Sequence, residues 1–242
     1  MEQEKYMLKI ANRINLPLTE TSGLDSYDMS KNKDHFINYG KKITYQYNSR
    51  GFRDAEWPED LSDVVWCLGD SFTVGIGQPY EETWPKILEK RTGKRCLNLG
   101  EDECSNDTIA LRTKTITEQY QPKIIIIMWS YLQRRRKNNI NVKHDKDDFG
   151  LGKDVTNFLK NLELINNLNC KIIQTIIPNP FLRAEENTIK KILSKLNPLT
   201  KNLIFIPQLD YARDYHHFDI KTSDLVTELI TKKITAIDKS SK

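Results

Sequence analysis

The chain contains no long apolar run. Its longest, Ile124 to Trp129, is far too short to cross a bilayer, so membrane-spanning helices drop out of the readings. Cysteine is scarce, and Cys67, Cys96, Cys104 and Cys170 show no Cys-x-x-Cys spacing. Three of them lie in or beside apolar strand-like runs, where cysteine behaves as a small hydrophobe. Reduced thiols in a cell-interior compartment are therefore expected in place of a disulfide framework. No stretch is rich enough in glycine, proline or serine to act as a linker, and no segment repeats, which leaves one domain. Nor does one sign of charge dominate. The formal net charge is +4, and the only dense basic block is Arg134-Arg135-Arg136-Lys137. A short charge run after a strand reads as a solvated surface, so neither nucleic acid nor a membrane is expected as a partner. Met1-Glu2-Gln3-Glu4-Lys5 mixes acidic and basic residues and leads into no apolar stretch. It does not read as a secretory signal, and a cytoplasmic location is expected.

What is present suits a folded α/β domain. Over 242 residues, 38% are hydrophobic and 29% charged, which supplies both a sizeable core and a solvated surface. From about Val64 onward, short apolar runs alternate with amphipathic stretches. The expected strands are Val64–Leu68, Arg95–Leu99, Lys123–Trp129, Lys171–Ile177 and Leu203–Ile206. Between and after them, helices are expected over Glu82–Thr92, from Ser105 or Asn106 to Tyr120, Asp154–Leu168, Ala184–Leu196 and Ser223–Ile237. Lys123–Trp129 is β-branched and lacks alternation, as a strand covered on both faces should be. Strand alternating with helix in this way implies a parallel sheet with helices on both faces and a site beyond the carboxyl ends of the strands. Ahead of this pattern, Ile43–Tyr47 reads as an extra strand and Lys31–Asp34 as a loop. Residues 1–60 are taken as an N-terminal extension packed on a domain of residues 61–242.

The chemistry-bearing residues fall where such a sheet would gather them. Ser71, in Gly69-Asp70-Ser71-Phe72-Thr73, follows the first buried strand. A serine hydroxyl is a weak nucleophile at neutral pH and needs a base beside it. Of the four histidines, His35, His144, His216 and His217, the last two follow the fifth strand. Asp214 and His217 are three apart, close enough for the carboxylate to hold the imidazole tautomer and leave its other nitrogen facing Ser71. That spacing alone favours His217 over His216. A lone Gly-Asp-Ser is a common turn and a lone loop histidine is usually surface. The coincidence of both at the same sheet edge points to a catalytic set.

At these residues the sequence resembles the SGNH (GDSL-type) hydrolase family. Gly69-Asp70-Ser71-Phe72-Thr73 is similar to its first block. Asn98-Leu99-Gly100 with Ser105-Asn106 resembles the second, and Asp214-Tyr215-His216-His217-Phe218 the last. Tyr47-Asn48-Ser49-Arg50-Gly51-Phe52-Arg53 and Glu82-Thr83-Trp84-Pro85 also resemble features of some members. The resemblance implies a flavodoxin-like three-layer α/β/α sandwich with a five-stranded parallel sheet. It also implies a catalytic triad of Ser71, His217 and Asp214, no cofactor, and ester or acyl substrates. No metal is expected, since the acidic run Glu101-Asp102-Glu103 has no supporting histidine.

Two blocks depart from the family pattern. The second-block glycine, whose N–H joins the oxyanion hole, falls by offset on Glu103, with Gly100 nearby. The third-block asparagine has no counterpart in Met128-Trp129-Ser130-Tyr131-Leu132. Losing one such donor typically costs about two to three orders of magnitude in rate. Candidate oxyanion donors are thus Ser71, Gly100, Glu103, Asn106 and Ser130, the last two having capping or structural readings as well. Glu101, Asp102 and Glu103 read as a solvated acidic loop.

Three functions follow. The first is an esterase, with an O-acetylated carbohydrate as the preferred small-molecule substrate. The second is a catalytically impaired module of the same fold that binds carbohydrate, with Trp129 and Tyr131 as stacking candidates. The third is a flavodoxin-like binder of a phosphorylated ligand at Gly75-Ile76-Gly77, a weak motif without a third glycine.

Overall fold

The computed structural model describes residues 19–22, 42–137, 140–142, 151–178, 203–212 and 216–240. Five strands form one parallel sheet: β3 (Val65–Gly69), β4 (Cys96–Gly100), β5 (Ile124–Trp129), β8 (Lys171–Ile176) and β9 (Leu203–Phe205). Their spatial order is β4-β3-β5-β8-β9, with every neighbouring pair parallel. Between them run α1 (Ser71–Val74), α2 (Trp84–Thr92), α3 (Asn106–Tyr120) and α4 (Leu151–Asn166), and α5 (Ile220–Ser240) follows β9. This is the α/β arrangement the sequence pattern implied.

The absence of hydrophobic alternation in the central strands has a direct cause, since both of their faces are buried. Successive residues of β3 and β5 point to opposite sides. Trp66, Leu68, Ile125, Ile127 and Trp129 pack with Ile109 and Ile116 of α3 and with Phe158 and Leu162 of α4. Val65, Cys67, Ile126 and Met128 pack with Trp84 and Leu88 of α2 and with Val226 and Ile230 of α5. The sheet therefore separates two cores, one per face. Three of the cysteines are accounted for by this packing: Cys67, Cys96 and Cys104 are buried free thiols, and Cys170 is partly buried.

Helix ends explain the boundaries. Ser105 caps α3 by accepting from the Thr108 N–H, as its residue type predicts. The helix expected from Glu82 instead begins with a 3-10 turn at Tyr80–Glu82. The α-helix starts at Trp84, with Pro85 in its first turn and Gly93 closing it in a left-handed conformation. Further on, α4 runs three residues earlier at its start than the Asp154 expected, and α5 spans Ile220–Ser240 in place of Ser223–Ile237. The helix expected over 184–196 and the loop at 31–34 lie outside the described residues.

Two small antiparallel pairs were not anticipated. The extra strand is β2 (Lys42–Tyr45), and it pairs with β1 (Thr19–Ser22), a polar stretch with no strand signature. The solvated-surface reading of the basic block fails at Arg134, which is buried, and at Arg135, which forms an ion pair with Asp154; Arg135–Lys137 form β6, paired with β7 (Ile140–Val142). The segment after β2 is packed in, with Phe52 wholly buried in the core beneath α3. No helix of the described residues is long and apolar enough to cross a membrane.

Ile126 sits at the middle of the central strand, fully buried between β3 and β8. Ile126→Ala is expected to cost about 2–5 kcal/mol through lost transfer free energy and the cavity left behind. Urea unfolding followed by far-UV circular dichroism measures this.

Candidate active site

The strand order reverses between β3 and β5. The chain leaves β3 for β4 on one side, and the later strands of this sheet, β8 and β9, build outward from β5 on the other. At such a point the loops diverge and leave a crevice beyond the carboxyl ends of the strands. Ser71 opens α1 immediately after β3, at the edge of that crevice.

The turn that presents Ser71 is held from both ends. Asp70 is the N-cap of α1, with its carboxylate accepting from the Phe72 N–H and its carbonyl from the Thr73 and Val74 N–H groups. Ser71's own N–H is the first-turn amide left out of this cap. At the other end Gly75 takes a left-handed φ of 77° and donates to the Ser71 carbonyl. A side chain there would also collide with Thr83. Arg53 closes this end, its guanidinium donating to the carbonyls of Val74 and Gly75, and also to those of Thr44 and Gln78. Gly100, at the end of β4, lets the backbone of α1 approach: a Cβ there would lie 2.4 Å from Val74 N.

The base arrives from the loop after β9. His217 Nε2 lies 2.8 Å from Ser71 Oγ, and both residues are buried, 8% and 1% exposed. The imidazole rests on Phe72, with ring centroids 4.6 Å apart, and meets His216 edge-on at 4.9 Å. The Ala212 N–H donates to the His217 carbonyl across the loop at 2.7 Å. His216 faces outward, and its Nε2 is 3.1 Å from the Tyr131 hydroxyl. The 2.8 Å contact thus belongs to His217 and not to its neighbour. Asp214 lies outside the described residues, as do His35 and His144.

The candidate oxyanion donors divide. Ser130 donates from its hydroxyl to Asp70 Oδ2 at 2.5 Å and from its N–H to Asn106 Oδ1 at 2.9 Å. Asn106 donates its amide to the Tyr131 carbonyl at 3.0 Å. Both side chains thus tie the β5 loop to α3 and to Asp70, which is the structural reading weighed for them. The Gly100 N–H donates to Asn98 Oδ1 at 2.9 Å, so as an oxyanion donor Gly100 is corrected: its amide is already taken. Glu103 keeps its place in the account for a backbone reason. Its φ is +60°, and with the helix-capping Gln121 it is one of two non-glycine residues of positive φ among the described residues. A position where the resemblance calls for glycine is in the conformation that glycine adopts most readily.

Charge at this edge is neutralised by two arginines, Arg112, which the sequence did not single out, and Arg134, read there as solvated surface. Glu101 does not lie in a solvated loop as expected. Its carboxylate is 2.6 Å from the fully buried Arg112, and its N–H donates to the Gly69 carbonyl. Arg134, the first residue of the basic block, is buried, with its guanidinium 2.8 Å from Asp70 Oδ2 and 3.1 Å from Ser130 Oγ. Arginine reads as surface by default, and nothing local marks one that will meet a buried carboxylate from a distant segment. Burial pushes the Cys104 thiol well above its ordinary pKa, so it does not compete as a nucleophile. The stacking candidates also change. Trp129 is wholly buried, donating to Gln174 Oε1, and Tyr131 is 5% exposed beneath His216. Among the described residues no group of three or more His, Cys, Asp or Glu comes together to hold a metal.

No protein-family model matches the chain, and no match is found among curated proteins. Solved structures do resemble it. A member of the lipolytic G-D-S-L family from Veillonella parvula is 18% identical, with 71% of this chain and 98% of that chain covered and a TM-score of 0.47. A psychrotrophic esterase from Pseudoalteromonas is 18% identical, with 72% and 98% covered and a TM-score of 0.45. A family two carbohydrate esterase from Clostridium thermocellum, solved with cellohexaose, is 15% identical, with 75% and 66% covered and a TM-score of 0.48. At such identities and TM-scores, the chemistry has to be argued from this chain's own residues.

Relief of the left-handed strain makes Glu103→Gly neutral to stabilising, by up to about 1 kcal/mol. Gly100→Ala is expected to lose about 2 kcal/mol or more as the methyl displaces α1. Paired urea unfolding curves read both.

Proposed function

We propose that this chain is a serine hydrolase acting on ester bonds, with Ser71 as nucleophile, His217 as base and Asp214 as the group that orients the base. The observation that carries the reading is the 2.8 Å contact between His217 Nε2 and Ser71 Oγ at the carboxyl edge of a parallel sheet. His217 removes the Ser71 proton as Oγ attacks the acyl carbon. Charge then builds on the carbonyl oxygen, for which the Ser71 N–H and the backbone at Glu103 are the donors we assign. Collapse of the tetrahedral species breaks the acyl–alkoxy bond, and His217 returns the proton to the departing alcohol. Water, deprotonated by the same imidazole, then releases the acid and restores Ser71. No step needs a cofactor. Asp214, three residues ahead of His217, is assigned to the far ring nitrogen, where a carboxylate holds the tautomer and stabilises the imidazolium. We assign the catalytic unit to residues 61–242 and treat residues 1–60 as an extension upon it.

For the alcohol, an O-acetylated carbohydrate is our preferred class. What supports it is that His216 and Tyr211, the latter 40% exposed on the same loop, reach solvent beside the base. They offer faces to a sugar in place of Trp129 and Tyr131.

The test is hydrolysis of p-nitrophenyl acetate and butyrate by the wild type, Ser71→Ala and His217→Ala. The wild type should turn over, and each variant should fall by about three orders of magnitude or more. Equal rates in wild type and Ser71→Ala would leave the impaired, carbohydrate-binding module as the better account.

A further inference from the structure

Arg134 has three separate attachments at the site edge. Its guanidinium pairs with Asp70 Oδ2 at 2.8 Å. It also donates to Ser130 Oγ at 3.1 Å, and it lies 5.0 Å from the centroid of the Tyr131 ring. They lead to the catalytic pair by two routes, one through Asp70, which Ser130 also holds, and one through Tyr131. Asp70 is the residue before Ser71 and caps its helix. Tyr131 reaches the base loop, its hydroxyl 3.1 Å from His216 Nε2 and its ring stacked on the His216 ring at an interplanar angle of 27°. His216 in turn abuts His217, which contacts Ser71. The contacts therefore close a ring through Asp70, Arg134, Tyr131, His216, His217 and Ser71, joining the ends of β3, β5 and β9.

We propose that Arg134 is a positioning residue of the Ser71–His217 pair, neutralising Asp70 beside the nucleophile and fixing, through Tyr131 and His216, the loop that carries the base. The proposal rests on the serine-hydrolase reading for its kinetic consequence but not for its electrostatic one. A buried carboxylate one residue from Ser71 opposes the negative charge of an oxyanion and favours the imidazolium of a nearby histidine. With Arg134 in place the two charges largely cancel. Without it the site carries a net negative charge in a poorly solvated setting, where such interactions act over longer distances. A merely structural arginine would loosen the fold without moving the base's titration in a chosen direction.

Asp214, assigned to the far nitrogen of His217, is unchanged in every variant tested, and among the described residues the acidic groups Glu101, Asp210 and Asp219 have partners of their own. Glu101 at the end of β4 is paired with Arg112. Asp210, on the base's own loop, accepts from the N–H groups of Asp219, Lys221 and Thr222 at the start of α5. Asp219 caps the same helix start through the Ile220 N–H. Tyr131 and His216 are members of the ring itself.

The experiment follows the His217 imidazole by NMR titration in histidine-labelled protein, alongside kcat and KM for p-nitrophenyl acetate and fluorophosphonate labelling of Ser71. The variants are Arg134→Gln, Asp70→Asn and the two combined. Arg134→Gln should raise the His217 midpoint by about half a pH unit or more, Asp70→Asn should lower it by a similar amount, and the double variant should return it near the wild-type value. In the kinetics, Arg134→Gln should lower kcat roughly 10- to 100-fold with KM little changed, as misplacement of reacting groups does. The proposal is overturned by a midpoint that stays put in both single variants, or by two shifts of the same sign. A wild-type kcat in Arg134→Gln also overturns it. If Arg134→Gln fails to fold, Asp70→Asn and the charge-neutral double variant decide by the same shift and return. A wild type that neither hydrolyses the ester nor labels sinks the hydrolase reading alone, because the imidazole titration still decides Arg134.

Discussion

Burial of the parallel sheet on both faces constrains everything else in this molecule. With α2 and α5 on one side and α3 and α4 on the other, the two central strands β3 and β5 are apolar throughout, and the buried polar side chains of the flanking strands, Asn98, Gln174 and Thr175, are all hydrogen-bonded. Ionisable groups that must meet one another can do so only where the strands end. At the carboxyl ends, helix N-termini and loops provide donors, and the reversal of strand order between β3 and β5 opens the space in which Ser71 stands. The position of the nucleophile is thus a consequence of packing.

Charges gathered at such an edge are only half solvated, and the chain handles them by pairing. Asp70 has Arg134 and Ser130, and Glu101 has Arg112. Such pairs are weak evidence for added stability, since desolvation offsets much of the attraction, but breaking one by removing a single partner is costly. Their value here lies in shape. Arg134 links segments 64 residues apart, Arg112 ties α3 to the end of β4, and Arg53 gathers four backbone carbonyls around the nucleophile helix. Three arginines therefore hold the geometry that a serine and a histidine need to meet at hydrogen-bond distance.

Much of the scaffold was legible in advance because its signals are local. Each of the five strands was recognisable as an apolar run bounded by glycine or proline, and Ser105, Gly75 and Gly93 perform the capping and turn duties that their types suggest. The alternation of strands and helices placed Ser71 and the His216–His217 pair at one sheet edge, and the spacing to Asp214 singled out His217. The polar strand β1, the β6–β7 pair and the short 3-10 entry to α2 could not be anticipated, since pairing partners and turn geometry override weak intrinsic preference. The acidic and basic runs misled for a related reason: a charged residue reads as solvated until its partner is known.

By itself the sequence determined the five strands of the parallel sheet, that this sheet would be covered on both faces, and which serine and histidine pair would share an edge. These follow from hydrophobic period, turn chemistry and the right-handed crossovers of parallel strands, all of which act over a few residues or follow from topology. Only the tertiary structure decided that the Gly100 amide is occupied by Asn98, that Ser130 and Asn106 brace the β5 loop, that Glu103 holds a left-handed turn, and that Arg134 pairs with Asp70 beside the nucleophile. Those outcomes depend on distances between segments 24 to 64 residues apart and, for Gly100, on which local acceptor the folded turn presents. Hydrogen-bond partners are settled by geometry at the scale of tenths of an ångström, which residue order alone does not encode.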